Sequence, residues 1–153
     1  MPTAITRSLT WTVVAAVILM GTPAAAANCA VGSGSLAFGS LLGFARTATL
    51  NGAGTLTVAC TASAPYTLAL DKGFGPSISS RLMKVSGGSA TISYQLYQDA
   101  GHSTIFGDGT IGSAKSGIGT GAAQLIDVFG QIPSQNISAA GDYSDSITVT
   151  VIF

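Results

Sequence analysis

The side chains in this sequence that could do chemistry cluster around a single histidine. His102 is close in the sequence to Asp99 and Asp108, and the three could be imagined as metal ligands or as parts of a catalytic triad. The chain has no second histidine, no glutamate and no nucleophile in a recognisable motif. Because catalysis needs several such groups placed together, we expect no enzymatic activity, no metal site and no cofactor.

Other patterns also have a chemical and a structural interpretation. Tyr94 and Tyr97 could line a sugar site, but on a strand they are more typical of core and cross-strand packing. Residues 142–145 resemble a turn with local side-chain bonds more than a calcium site. The glycines of residues 117–121 lack the strand-to-helix context of a phosphate loop. We therefore favour the structural interpretation of all three patterns.

The two cysteines, Cys29 and Cys60, favour one disulfide if the chain is exported to an oxidising compartment. Such a bond would close a loop of about thirty residues and contribute about 3–4 kcal/mol in the chain-entropy model. The alternative is a pair of buried free thiols.

The N-terminus has the pattern of a secretory signal. Arg7 precedes an apolar run at residues 9–20, and small residues follow a Gly-Thr-Pro break. The run is too short to span a bilayer as a stable helix. We expect residues 1–26 to be a signal peptide cleaved near Ala26 or Ala27, and residues 27–153 to form one exported domain without a membrane segment.

Charge excludes two classes of partner. The chain carries six Lys and Arg against six Asp, and its formal net charge is zero. Binding to nucleic acid or to an anionic membrane requires a basic patch, which this sequence lacks. We expect neither as a partner.

Strand-like runs separated by Gly, Ser, Thr and Asn dominate the rest of the chain. Turn clusters lie at residues 51–52, 71–73, 87–88, 107–109 and 141–142, and residues 107–121 have the composition of a long mobile loop. The pattern predicts an all-β sandwich. Its seven predicted strands are residues 35–38, 55–60, 66–70, 81–85, 91–97, 125–129 and 147–153.

The last predicted strand alternates cleanly. Ile147, Val149, Val151 and Phe153 share one face, and threonines separate them. A final strand with an apolar face and no cover favours pairing with another chain. This feature suggests a protein that is joined to others.

The chain from Cys29 onwards resembles the spore coat protein U domain, which is also the subunit domain of archaic chaperone–usher pili. Phe106 is a departure, because the family often has tryptophan there, but the position stays aromatic. The pieces that carry the resemblance are Cys29-Ala-Val, Leu36-Ala-Phe-Gly39, Leu56-Thr-Val-Ala-Cys60, Pro65-Tyr66-Thr-Leu, Arg81-Leu-Met83, Ile92-Ser-Tyr94-Gln-Leu-Tyr97-Gln-Asp99, Phe106-Gly-Asp-Gly109, Val128-Phe-Gly130-Gln-Ile-Pro133 and Gly141-Asp-Tyr143-Ser-Asp145.

The resemblance implies an immunoglobulin-like β-sandwich that lacks its last strand and is completed by a donor strand. A periplasmic chaperone would lend a strand, and a neighbouring pilin subunit would replace it at the outer-membrane usher. This is β-augmentation, in which main-chain hydrogen bonds give affinity and side-chain pockets give specificity. The groove residues that the resemblance implies are Leu36, Phe38, Ile147, Val149, Val151 and Phe153.

Cleavage near Ala26 or Ala27 would leave one or two residues before Cys29, whereas a donated strand takes about ten residues at roughly 3.3 Å each. We therefore expect a fibre tip subunit that accepts a strand but donates none. The alternatives are a self-standing secreted coat or cell-surface protein and, from another class, a carbohydrate-binding sandwich adhesin. Uncleaved N-terminal residues acting as the donor would overturn the tip assignment.

Overall fold

The computed structural model describes residues 26–39 and 48–153, and all the regular structure in these ranges is β. The predicted signal peptide lies outside them, apart from Ala26. No helix able to cross a membrane occurs in the part of the chain that is described. The strands are β1 Cys29–Ala37, β2 Leu50–Cys60, β3 Pro65–Leu70, β4 Arg81–Val85, β5 Thr91–Tyr97, β6 Lys115–Ile118, β7 Ala123–Ile132, β8 Tyr143–Ser144 and β9 Val149–Ile152.

The strands form two antiparallel sheets, which confirms the predicted all-β sandwich. One sheet has the order β1-β2-β7-β5-β4-β8, and the other has the order β6-β3-β9. β1 and β9 are therefore each the last strand on one side of a sheet. No hydrogen-bonded ladder joins them within the described residues, so the sandwich is open along this seam.

The core lies between the two sheets and is built by period-2 alternation. Val58 on β2, Leu68 on β3 and Ile132 on β7 are almost completely buried, as is Phe106 in the connection after β5. Burial of each such side chain contributes roughly 1.5–3 kcal/mol to the stability of the domain.

A β-bulge in β1 decides which of its side chains face the core. Gly32 is opposite Thr57 and Ser35 is opposite Thr55, so three steps along β1 match two along β2. The extra residue shifts the alternation by one. As a result, Cys29 and Val31 face inward before the bulge, whereas inward-facing positions after it are even-numbered and include those of Leu36 and Phe38.

The prediction of a long mobile loop at residues 107–121 was wrong. The segment contains β6, which pairs with β3 from Pro65↔Ile118 to Leu68↔Lys115. The amide of Gly107 also donates to the carbonyl of Ser113, 3.0 Å away. Small polar residues are compatible with an edge strand, because its outer edge and one face meet water.

Several strand boundaries also differ from the prediction, since β1 starts at Cys29 rather than at residue 35, β2 starts at Leu50 rather than at residue 55, and β7 covers Ala123–Ile132 rather than residues 125–129. Residues 51–52 were predicted as a turn but lie inside β2. The glycine at position 52 leaves room on the inner face for the side chains of Leu36 and Phe38. The last strand starts at Val149, and Ile147 lies in the segment that leads into it. The two-residue strand β8 was not predicted.

Candidate functional site

A large apolar cavity opens along the seam between β1 and β9. Its volume is about 1120 Å³, and it is bordered on one side by β1 from Val31 to the residues just after the strand. The segment from Ala139 to Val149 borders the other side. Its floor is formed by side chains of both sheets and of the connection after β7, namely Leu56, Leu70, Met83, Ile92, Tyr94, Leu96, Val128, Ile132 and Ile137.

In the described part of the chain, the cavity is bordered by unpaired strand edges as well as by apolar side chains. β1 pairs only with β2 and β9 only with β3 among the described strands, so the other edge of β1, and that of β9 at Val149, borders the cavity unpaired. Edge strands carry rows of free N–H and C=O groups that can pair with a further strand. We call this cavity, with its two strand edges, the seam groove.

Four of the six predicted groove residues line the seam groove, namely Leu36, Phe38, Ile147 and Val149. Val151 packs against the core but is not part of the cavity lining. Phe153 follows the end of β9 and is 55% exposed. The structure therefore places the open part of the groove at the start of β9 and leaves the C-terminal aromatic ring outside it.

Phe38 fits at one end of the groove because glycines face it. A Cβ atom added at Gly130 would lie 2.6 Å from Cζ of Phe38, and one added at Gly52 would lie 3.2 Å from its Cδ1. The Phe38 ring also meets the Tyr94 ring edge to face, with 6.0 Å between centroids. Aromatic pairs of this geometry stabilise beyond their buried area.

The disulfide holds the other end of β1. Cys29 and Cys60 are joined with an S–S distance of 2.01 Å, and Cys60 is 3% exposed. Beside them, the amide of Thr61 donates to the carbonyl of Asn28, 2.9 Å away. The cavity lining of β1 begins at Val31, so the groove stops short of this fixed end.

The carboxylate of Asp145, at the end of the groove away from the disulfide, accepts three hydrogen bonds. The Tyr94 hydroxyl donates to Oδ2 of Asp145 at 2.6 Å, and the amides of Phe74 and Ser146 donate to Oδ1 at 2.9 and 2.7 Å. Burial, with the bond to Asp145, raises the pKa of Tyr94 far above its usual value. The phenol therefore stays protonated and keeps donating to the carboxylate.

A second carboxylate fixes the segment before β9. Oδ1 of Asp71 accepts hydrogen bonds from the amides of Thr148 and Gly73, at 3.0 and 2.9 Å. Burial alone would raise the pKa of Asp71, but these bonds outweigh it, and the pKa is lowered. Asp71 and Asp145 together hold residues 145–148 in place at the edge of the groove.

A fully buried arginine supports this end of the sandwich, and sequence reasoning had missed it. Arg81 is 0% exposed. Its guanidinium donates to the carbonyl of Asp71 at 2.7 and 3.0 Å, to the Gln95 side chain at 2.6 Å and to the carbonyl of Phe106 at 2.9 Å. The alternation of β4 could have predicted this burial, because Arg81 is in the same phase as Met83 and Val85, which lie in the core.

The structure gives the His102 group a local role. The carboxylate of Asp99 accepts bonds from Ser103 and Thr104, which lower the pKa of Asp99 to about 2. The Asp108 carboxylate similarly accepts two amides of its own turn, at residues 110 and 111. Within residues 26–39 and 48–153, no group of three or more potential metal ligands occurs.

The two tyrosines do not form an exposed platform. Tyr94 is 5% exposed and faces the core. Tyr97 is half-buried, and its ring packs edge to face against His102 with 5.1 Å between centroids. Both rings therefore pack within the protein rather than offering a flat face to a sugar.

The fold is similar to that of a solved pilus assembly complex. The match is to the crystal structure of the CsuC–CsuE chaperone–tip adhesion subunit pre-assembly complex from the archaic chaperone–usher Csu pili of Acinetobacter baumannii. The TM-score is 0.60 at 22% sequence identity, and the match covers 84% of this chain. It spans 40% of the solved chain.

Sequence comparison identifies the family. Protein U of Myxococcus xanthus is 28% identical over 139 residues, which cover 82% of this chain and 77% of that protein. The family model described as Spore Coat Protein U domain matches residues 14–150. The chain therefore belongs to the Spore Coat Protein U domain family.

Proposed function

We propose that this chain is a non-catalytic structural subunit of a surface fibre that is assembled by strand donation. The single observation that carries the proposal is the seam groove, an apolar cavity bordered by edges of β1 and β9 that have no partner strand among the described residues. The chain is exported through a signal peptide. Its groove then accepts a strand from a periplasmic chaperone and later one from a neighbouring subunit, at an outer-membrane usher.

The energetics favour a strand as the occupant. An inserted strand can satisfy the free backbone groups of an edge while its alternate side chains enter the cavity. Each large apolar side chain that becomes buried contributes roughly 1.5–3 kcal/mol, which helps to offset the entropy lost when the strand binds. A small rigid ligand would leave the strand edges unpaired.

The comparisons support this assignment. The solved complex of similar fold contains a chaperone and a tip adhesion subunit of an archaic chaperone–usher pilus. The same type of assembly is proposed for this chain on the strength of its own groove.

We assign the chain to the tip of the fibre. If the signal is cleaved near Ala26 or Ala27, one or two residues precede Cys29 in the mature chain, which is too few for a donated strand. N-terminal sequencing of the exported protein tests this. A mature N-terminus ten or more residues before Cys29, with that segment inserted in a neighbour, would contradict the assignment.

A second candidate is a self-standing coat protein, which the family description, Spore Coat Protein U domain, favours. The two functions differ in what the isolated chain does. A fibre subunit should associate through its open groove when expressed alone, because exposed strand edges pair with one another. A coat protein should be a stable monomer without a partner.

Co-expression with the chaperone tests the proposed function. The mature chain should be poorly soluble alone and should co-purify with the chaperone in a one-to-one complex. Val149→Asp should abolish this capture, because it puts a charged side chain at a position that lines the apolar groove. The matched control is Thr150→Asp on the exposed face of the same strand, which should still be captured. Equal capture of both variants would contradict the proposal.

A further inference from the structure

The charge on the seam groove is confined to one end and has one sign. Among the described residues that line the cavity, the charged ones are Asp142 and Asp145, and no lysine or arginine is present. Both aspartates lie in the segment that contains β8 and leads into β9. The opposite end, near Val31 and the disulfide, is lined by apolar and small residues.

The two carboxylates retain the capacity to bind a cation. An ionised carboxylate offers about four acceptor positions, and Asp145 uses three, for the Tyr94 hydroxyl and the amides of Phe74 and Ser146. The Asp142 side chain is exposed, and its carboxylate has no hydrogen-bond partner in the described part of the chain. An incoming donor can therefore reach both aspartates.

Two of the nearby cations of this chain, those of Arg81 and Lys84, are engaged elsewhere. Arg81 is buried, and its guanidinium donates to two backbone carbonyls and to Gln95. The ammonium group of Lys84 lies 5.3 Å from the centroid of the Phe74 ring, in a cation–π contact. Neither makes an ion pair with Asp142 or Asp145 in the structure.

We propose that the seam groove selects a donor strand with alternating apolar residues and a lysine or arginine at the end that lies beside Asp142 and Asp145. This inference rests on the proposed function and adds the chemistry of the occupant. The long stem of such a side chain packs along the apolar wall while its charged head reaches the carboxylates and water. A strand with an acidic residue at the same end meets like charge and is disfavoured.

The size of the effect follows from the exposure of the site. Partly exposed ion pairs of this kind change affinity by a few-fold each, so two carboxylates should give a preference on the order of fivefold. Salt should reduce this preference, because exposed charges are screened at high ionic strength. The apolar contribution to binding should not weaken with salt in this way.

Synthetic donor peptides test the inference. Two pairs of peptides share the same alternating Val and Ile positions, and the members of a pair differ by one terminal residue, lysine in one and glutamate in the other. Each charge is placed at either end in turn, so that both strand directions are sampled. Their dissociation constants for the whole mature chain are measured at low protein concentration, in low and in high salt.

Two aspartate variants test whether the preference for the lysine peptide arises at the groove carboxylates. Asp142→Asn should reduce the preference for the lysine peptide, because it removes one of the two groove carboxylates. The matched control is Asp127→Asn, which removes an exposed carboxylate on β7 outside the seam groove and should leave the preference unchanged.

The outcomes separate this inference from the proposed function. Tighter binding of the lysine peptide, reduced by salt and by Asp142→Asn but not by Asp127→Asn, supports both. Equal binding of the two peptides, or tighter binding of the glutamate peptide, overturns the charge preference and leaves the strand-acceptor function intact. If no peptide binds, the strand-acceptor function fails and the charge preference fails with it.

Discussion

The Tyr94 hydroxyl donates a 2.6 Å hydrogen bond to Oδ2 of Asp145, and this bond joins the floor of the seam groove to the segment that leads into β9. Tyr94 is also paired across the strands with Arg81. Because Arg81 is bound to the carbonyl of Asp71, the polar residues at this end form a connected support under one edge of the groove.

The Tyr94–Asp145 bond predicts a specific alkaline instability. In the unfolded chain Tyr94 ionises near its ordinary pKa of 10.0, whereas burial and the bond to Asp145 raise its pKa in the folded chain. Above pH 10.0 the unfolded state therefore releases a proton that the folded state retains. The free energy of unfolding should fall as the pH rises, and Tyr94→Phe should remove this part of the fall.

Urea unfolding at low protein concentration, at neutral and alkaline pH, measures the effect. Tyr97→Phe is the matched control, because it removes a phenol from the same strand without touching Asp145. An alkaline slope that persists unchanged in Tyr94→Phe would contradict the assigned role of the bond.

Arg81→Lys should lower the free energy of unfolding by about 2–4 kcal/mol. A lysine keeps the charge but cannot reproduce the planar set of donors, so buried acceptors at Asp71, Gln95 and Phe106 lose partners. The reverse exchange Lys84→Arg on the exposed face of β4 is the control, with an expected change within about 0.5 kcal/mol. Equal effects in the two variants would show that the buried guanidinium contributes nothing specific.

Gly54→Ala should displace β1 from β2 at the bulge. The added Cβ atom would collide with the backbone carbonyl of Ser35, which cannot move without its strand. We expect a loss of about 1–3 kcal/mol in the free energy of unfolding, typical of overpacking. Ala53→Ser at the neighbouring exposed position is the control, and a Gly54→Ala variant as stable as this control would contradict the close approach of the strands.

Removing the disulfide should destabilise the domain by about 3–4 kcal/mol in the chain-entropy model, because the bond closes a sequence separation of 31 residues. The variant with Cys29→Ser and Cys60→Ser is compared with the parent chain by urea unfolding. Alkylation and mass spectrometry of exported protein should also detect no free thiol, and two free thiols would contradict the bond.

The sequence predicted the sheet positions best where strands are half-buried. The alternation of Ile92, Tyr94 and Leu96 and of Leu56, Val58 and Cys60 places these residues inside, as found. It failed where glycine serves the packing of another strand, as at Gly52, and where a polar edge strand reads as a loop, as at residues 115–118. Composition alone does not distinguish these cases, since both depend on contacts distant in the sequence.

The hydrogen bonds that support the groove could not be predicted from the sequence pattern either. The bonds from Tyr94 to Asp145 and from Thr148 to Asp71 join residues 51 and 77 positions apart, and nothing local indicates either pair. The bulge in β1 is similar, because it is defined by the register with β2 rather than by the composition of β1. The family resemblance implied four residues that line the groove, but it did not indicate the wall at residues 139–146 or the interactions that hold its shape.

Hydrogen–deuterium exchange would show whether a partner strand pairs with the edges of the seam groove. The chaperone-bound chain is compared with the chain alone at low concentration, and exchange is followed at residues 33–38 of β1 and its end and at residues 147–152 around β9. We expect partner binding to slow exchange in these two segments, because their edges become paired, and to leave exchange at the outer edges, β6 and β8, unchanged. Slowed exchange at β6 or β8 with no change along the seam groove would contradict the claim that this groove accepts a strand.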